Sequence, residues 1–172
     1  NGIPVDSANR VFDQMIDFAK YAFNKSHAAA YAVVAYQTAY LKYYYPAYYL
    51  AALMTSIRSA NTEVAEYLLL SRQLQIPIEN PNVQEGSAEF TVRNGKILYS
   101  LSAIRDVGDS VVEEIVRLRS EKPFRDLKDF ITRMSCKGLS KTAVEALIKA
   151  GALDCMGHPR KHMMEQYPSI LN

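Results

Sequence analysis

The chain has 172 residues, of which 49% are hydrophobic, and 20 basic against 18 acidic residues give it a net charge of +2. That is enough apolar content for a core, while so mild a charge permits contact with a polyanion but does not argue for it. Two cysteines indicate no disulfide framework and fit a reducing cytoplasm, so we expect a cytoplasmic protein. The apolar run Ala28–Leu41 is too short and tyrosine-rich for a membrane span, so we expect no membrane partner.

The first predicted helix follows a loop over residues 1–5 and runs to about Tyr21. Asp6 or Ser7 is suited to cap its first amides. Its apolar residues recur at helical spacing, which predicts that one face lies in the core. These residues are Val11, Met15, Phe18 and Ala22.

The stretch Phe23–Ser56 contains no glycine and a single proline, Pro46. Its alanine and leucine content predicts a long, almost entirely apolar helix, which Pro46 ends. Pro46 is also suited to begin a second helix over Ala47–Ile57. Ser26 is predicted to cap the first of the two helices.

A polar cluster stands at the start of that long helix. A lysine charge, a histidine donor and the first helix amides converge there, which suits a triphosphate. The alternative is a well-capped helix start with solvated side chains, which is common in proteins. The cluster consists of Asn24, Lys25, Ser26 and His27.

Tyrosines follow the cluster along the same helix. Tyr36, Tyr40 and Tyr43 share a face and are suited to stack on bases, although a tyrosine stripe is more often half-buried packing. Tyr31 and Gln37 are nearer the polar cluster, so they are secondary candidates for the same site.

The middle of the chain changes its pattern. A helix over Thr62–Leu74, capped by Asn61, is followed by a proline-containing loop. The Asn94-Gly95 pair stands between two alternating runs, which is a strong hairpin signal. We place a domain boundary in the loop, giving a helical part at 1–79 and a second part at 80–172.

The second part is predicted to hold a helix-hairpin-helix unit over Leu101–Leu118, with a short helix or turn first, the hairpin at 105–108 and then a helix. Such hairpins bind a DNA backbone phosphate without reading sequence, and Arg105, Val107 and Gly108 are the candidate residues. Asp106 tolerates the left-handed conformation that the turn needs, but its charge and that of Asp109 repel a phosphate. A purely structural role for the unit is therefore the alternative.

The remaining elements are also helical. Asp126 and Ser140 are predicted to cap two helices, and Gly151 to end the second. One more short helix is expected within 158–172. The fold class is therefore mainly α, with one small β-hairpin and the helix-hairpin-helix region, and without a repeat at a fixed period.

Cysteine and histidine near the C-terminus have the types and final spacing of zinc ligands. The alternative is a buried cysteine with two surface histidines, and we expect no metal here. The residues concerned are Cys136, Cys155, His158 and His162.

Three stretches resemble one family. FNKSHAAAYAVVAYQTAYLKYYYPAYYLAALMTS is similar to the fingers region of the bacterial C-family replicative DNA polymerases. LSAIRDVGDSVVEEIVRLRSEKPFRDLKDFITR and ALIKAGALD have counterparts, in the same order, in that family's segment after the fingers helices. The resemblance covers nearly all of the chain, which therefore reads as a piece of a longer protein.

The resemblance implies a DNA-directed DNA polymerase whose catalytic carboxylates and Mg²⁺ lie in a palm outside this chain, so we expect no catalytic residue here and no activity from the piece alone. It implies that Lys25 and His27 approach the incoming deoxynucleoside triphosphate. The implied partners are primer-template DNA and, through other regions, the other subunits of the replicative holoenzyme. Lys20-Tyr21-Ala22 departs from the family, which often has glycine on both sides of the tyrosine. The alternative function is a non-catalytic helix-hairpin-helix DNA-binding or scaffold module.

Overall fold

The computed structural model describes residues 2–21, 25–135 and 138–171. Its contacts divide the chain into two compact units, Asn1–Tyr44 and Tyr45–Asn172. The boundary predicted between residues 79 and 80 lies inside the second unit, because a strand at 78–79 pairs with a strand beyond the loop. The proline-containing loop is thus part of one folded body.

The first unit contains α1 (Val5–Tyr21) and α2 (Lys25–Tyr44), two helices where two were predicted. Asp6 and Ser7 lie inside α1, so the prediction that one of them caps this helix is wrong, because an N-cap has non-helical backbone. The apolar face of α1 is exposed, with Val11 at 56%, Met15 at 63% and Phe18 at 76%, so the prediction that it lies in the core is wrong. Helical spacing aligns apolar residues on one face, but burial also needs a second surface packed against that face. Ala22 lies outside the described residues. None of the helices in the described part of the chain has the length and hydropathy needed to cross a membrane.

The second unit begins with α3 (Pro46–Ser56) and α4 (Asn61–Gln73). Pro46 occupies the first helical position of α3, as predicted. Asn61 is the first residue of α4 and Ala60 precedes it as the N-cap, so the prediction that Asn61 caps this helix is wrong.

A three-stranded sheet follows, with β1 (Ile78–Glu79), β2 (Thr91–Arg93) and β3 (Lys96–Leu98) in the order β1-β3-β2. The predicted hairpin joins β2 and β3, and both turn residues have positive φ, 52° at Asn94 and 74° at Gly95. The sheet and the first two helices of the unit share a small core. Its largest members are Leu50, Met54, Val64, Phe90 and Ile97.

Four further helices enclose a larger core that includes Phe130 and Leu147, both fully buried. A short 3-10 turn, Asp154–Met156, precedes the last helix. The helices are α5 (Asp109–Glu121), α6 (Leu127–Ser135), α7 (Lys141–Ala150) and α8 (Arg160–Leu171).

The predicted helix ends of this region are confirmed. Asp126 Oδ1 accepts a hydrogen bond from the Asp129 amide at 2.8 Å. Gly151 ends α7 in the left-handed conformation, with φ of 84°, and the Arg160 guanidinium occupies the space that a side chain at 151 would need. Arg160 in turn donates to Asp154 at 2.6 and 2.9 Å and to the Lys149 carbonyl at 3.1 Å.

Candidate functional site

The start of α2 carries the predicted polar cluster. Lys25, Ser26 and His27 are its first three residues and all are exposed. Ser26 lies within the helix, so the prediction that it is the N-cap is wrong, because a cap has non-helical backbone. Asn24, the preceding residue, lies outside the described residues. The cluster therefore faces solvent at the positive end of a 20-residue helix.

Tyr31 joins this cluster and Gln37 does not. The His27 and Tyr31 rings lie one helical turn apart, with centroids 4.4 Å from each other. Gln37 follows His27 at a rise of about 1.5 Å per residue, which puts it roughly 15 Å farther along the axis. The rings of Tyr36 and Tyr43 are exposed at 71% and 78%, so the half-buried packing considered for these tyrosines is absent at both positions.

The hairpin of the predicted helix-hairpin-helix unit lies in the second unit, and the stretch before it forms two tight turns, which is the turn alternative of the prediction. The Ile104 amide donates to the Leu101 carbonyl at 3.2 Å, and the Val107 amide donates to the Ile104 carbonyl at 3.1 Å. Asp106 adopts the left-handed conformation, with φ of 67°, as predicted. The Val107 side chain is buried and its amide is already bonded, so this residue anchors the hairpin rather than presenting a donor.

The start of α5 is open at Gly108, its N-cap. The Gly108 carbonyl accepts from the amides of Val111 and Val112 at 3.0 and 3.2 Å, and no side chain caps the helix. A Cβ built at this position would meet only Ser110 Oγ, at 3.9 Å. A ligand atom can therefore approach the first amides of α5, where an anion is favoured.

The charges around this opening partly cancel. Arg105 and Asp106 are both exposed, and the Asp109 carboxylate pairs with Arg58 at 3.0 Å. The neighbouring Ser102 hydroxyl and the Arg58 guanidinium hold the pKa of Asp109 below its usual range. Ser102 Oγ is buried without a hydrogen bond of full geometry, so we consider Arg58 the firmer partner. One of the two carboxylates that oppose a phosphate is thus neutralised within the fold.

The start of α7 repeats the geometry of the α5 start. Gly138 is left-handed with φ of 80°, Leu139 is buried, and Ser140 is the N-cap. The cap dihedrals agree closely, with φ −82° and ψ 157° at Ser140 against −78° and 156° at Gly108. The difference is that Ser140 Oγ accepts from the Ala143 amide at 3.1 Å, as predicted for this cap.

Sequence reasoning missed this repeat because corresponding positions of the two hairpins have different residue types. The common signal is an order of roles: a left-handed position, a buried aliphatic residue, a small N-cap and then a helix. Asp-Val-Gly at 106–108 and Gly-Leu-Ser at 138–140 both satisfy it. A search of the sequence for this order of roles, instead of for identical residues, would have found both hairpins.

The candidate zinc ligands are not assembled among the described residues. Rings of His158 and His162 lie 5.8 Å apart, and Cys155 Sγ contacts the Ala152 carbonyl at 3.8 Å. Within residues 2–21, 25–135 and 138–171, no three histidine, cysteine or acidic side chains form a group that could hold a metal ion. Cys136 lies outside those ranges.

Comparison with known proteins connects this geometry to a family. A family model described as "Helix-hairpin-helix motif" matches residues 75–163, which include both repeated helix starts. The DNA polymerase III subunit alpha of Bacillus subtilis is 43% identical over 93% of this chain, and that of Thermus aquaticus is 44% identical over 91%. The corresponding subunit of Deinococcus radiodurans is 40% identical over 99%. The chain spans only 13 to 14% of the length of these relatives.

Proposed function

The chain belongs to the helix-hairpin-helix family, and on that premise we propose that it is a segment of a DNA polymerase III alpha subunit that contacts DNA and the incoming nucleotide. The observation that carries the proposal is the uncapped start of α5 beside Arg105, in a chain so similar to these subunits over most of its length. In this proposal the segment comprises part of the fingers and the helix-hairpin-helix region after it.

The DNA contact is a backbone phosphate held at the start of α5. Amides at a helix N-terminus bind phosphate without reading bases, so the contact positions DNA and carries no sequence preference. Gly108 leaves room for the approach, and Arg105 supplies a positive charge. Val107 supports the turn from the core, and Arg58 offsets Asp109.

The nucleotide contact is proposed at the start of α2. Lys25 and His27 are exposed at the end of the helix that favours an anion, and Ser26 lies between them. Tyr31 packs against His27 and orients its ring. Asn24 and Gln37 stay predictions, the second of them at a greater distance along the helix.

The whole protein, in this proposal, is a DNA-directed DNA polymerase that uses Mg²⁺ to stabilise the charge of the transferred phosphoryl group. The described part of this chain does not fit such a site, because no three of its acidic, histidine or cysteine side chains form a group that could hold a metal ion. We therefore assign no chemical step to these residues. Their contribution is to bind and orient DNA and nucleotide, and the other holoenzyme subunits are proposed to bind elsewhere.

The DNA contact is tested by titrating the chain with a fluorescent primer-template duplex at several salt concentrations. We expect Arg105→Gln to weaken binding and to lower the slope of log K against log salt by about 1, because one phosphate contact is lost. Arg93→Gln is the matched control, since Arg93 is exposed on β2 and pairs with Glu85. Equal effects of the two substitutions would show a general charge effect and refute the hairpin contact.

The nucleotide contact is tested in the complete polymerase. Lys25→Ala is expected to raise the apparent KM for deoxynucleoside triphosphates, since a charge facing the triphosphate is removed. Lys42→Ala, in the last turn of the same helix, is the control. An unchanged KM in the Lys25 variant removes this residue from the site.

A second candidate function is a non-catalytic helix-hairpin-helix DNA-binding module. The observation that favours it is that Tyr45–Asn172 forms a compact unit with the open α5 start within it. This candidate is preferred if duplex binding depends on Arg105 while Lys25→Ala changes no nucleotide constant.

A further inference from the structure

A cleft of about 710 Å³ lies in the second unit. Its walls come from the C-terminal end of α4, from residues 75–81 around β1, and from the hairpin before α5. This volume falls in the range of sites that hold a small organic ligand. Arg105 of the hairpin is one of the lining residues, so the cleft adjoins the proposed phosphate contact.

Two arginines distinguish this cleft from the rest of the unit. Arg72 and Arg105 both line it, and neither guanidinium has an ion pair or a side-chain hydrogen bond with another of the described residues. Each of the other arginines of residues 45–172 forms an ion pair with a carboxylate or donates a hydrogen bond to a backbone carbonyl. They are Arg58, Arg93, Arg117, Arg119, Arg125, Arg133 and Arg160.

The cleft combines these charges with an apolar floor. Ala103 and Ile104 are buried and Ile76 is half-buried, so a flat apolar ligand face would find aliphatic contacts there. Tyr99 is half-buried beside them, and burial raises the pKa of its hydroxyl, which keeps it protonated as a donor. The one carboxylate of the lining, Glu79, is paired with Lys96 at 2.9 Å and is thereby offset.

We propose that the cleft binds one nucleotide of single-stranded DNA, with its phosphate held by Arg72 and Arg105 and its base on the apolar floor. The inference rests on the proposed DNA contact and extends it to a strand that continues past the hairpin. Arginine suits this role because its planar fork matches phosphate oxygens, and bases of any identity pack on apolar and aromatic surfaces.

A peptide fits the cleft less well. Acidic peptides can also pair with arginine, and an extended peptide can add to a sheet edge. The strand beside this cleft, β1, has only two residues, so it offers too short an edge for a stable added strand.

The test is a titration of the chain with a short fluorescein-labelled oligothymidylate, in parallel with a blunt duplex. We expect Arg72→Gln to weaken single-strand binding by about tenfold, as expected for loss of a charged hydrogen-bonding group, and to leave duplex binding nearly unchanged. Arg72→Lys is expected to recover part of the affinity, because it restores the charge without the fork. Arg93→Gln is again the control for general charge.

The outcomes separate the two proposals. Unchanged single-strand binding in the Arg72→Gln variant overturns the cleft, even if Arg105→Gln still weakens duplex binding. Equal loss of both ligands in the Arg72 and Arg93 variants also overturns it. Loss of single-strand binding in the Arg72 variant alone supports the cleft, whether or not the duplex binds at the hairpin. A polyglutamate peptide that displaces the oligonucleotide at lower concentration than unlabelled oligothymidylate would assign the cleft to acidic peptides instead.

Discussion

The starts of α5 and α7 have the same backbone but different chemistry. Each places a left-handed residue, a buried aliphatic residue and an extended N-cap before its helix. At α7 the Ser140 hydroxyl satisfies a helix amide from within, whereas Gly108 at α5 brings no acceptor. One repeated framework therefore carries a side-chain cap at one copy and none at the other, and we propose that the uncapped amides serve a ligand.

The largest expected effect is on stability and comes from the buried aliphatic residue that both helix starts contain. Leu139→Ala should lower the free energy of unfolding by about 2–5 kcal/mol, because it leaves a cavity beneath the turn. Val107→Ala removes less volume and should cost less. Urea denaturation measures both, and a cost for Leu139→Ala within the error of the measurement would show that the second hairpin is not anchored as its burial indicates.

The next effect should separate the copies in DNA binding. Gly108→Asp is expected to weaken duplex binding about tenfold, or about 1.4 kcal/mol, because the new carboxylate caps the helix and repels a phosphate. Ser140→Asp is the matched control, since it adds the same charge but replaces one cap by another. Comparable loss in both variants, measured by fluorescence anisotropy, would mean that the α5 start has no special part in binding.

A smaller effect distinguishes the starts of α5 and α7 by how much the cap residue contributes to stability. Ser140→Ala should lower the free energy of unfolding by about 1 kcal/mol, since the bond to the Ala143 amide is lost. It should leave duplex affinity unchanged.

Gly108→Ser makes the reverse change, giving α5 a hydroxyl cap, and its side chain fits the open space there. We expect this variant to be more stable by a few tenths of a kcal/mol, in thermal unfolding, and to bind duplex more weakly. A variant that gains stability and keeps its affinity would contradict the proposed trade between cap and ligand.

A similarly small effect is acid-dependent and concerns Asp109, the first helical residue of α5. Because its pKa is depressed in the folded state, the carboxylate contributes stability above its unfolded pKa, near 3.9, and loses it as the pH falls through the folded value. Its pair with Arg58 is exposed, so we expect about 0.2–1 kcal/mol. Between pH 6 and pH 3 the free energy of unfolding should fall more for the native chain than for the Arg58→Gln variant. Identical pH profiles of the two would show that the pair contributes nothing.

The parts of the fold predicted from sequence are those set by local rules. The Asn94-Gly95 turn, the Ser140 cap and the Gly151 stop each depend on a few neighbouring residues, and each was confirmed. The short strand β1 was missed, because two residues show no alternation. The exposed face of α1 was missed because spacing does not reveal whether a partner surface exists.

The candidate site was predicted only in part, for the same reason. The hairpin residues and their conformation follow from adjacent positions, whereas the cleft brings together residues between Leu68 and Ala150. Whether an arginine is paired depends on tertiary contacts, so nothing in the local sequence distinguishes Arg72 from Arg93. The neutralisation of Asp109 by Arg58 is hidden from sequence by the same distance along the chain.

The absence of a side chain at Gly151 makes room for the Arg160 side chain, which connects α8 to α7. With the Arg160 guanidinium lodged where a methyl group would otherwise project, the first residue of α8 is fastened to the end of α7 and to Asp154. A methyl group at 151 would displace this guanidinium, so we expect Gly151→Ala to weaken the link and to raise the hydrogen-exchange rate of the amides where the two helices meet.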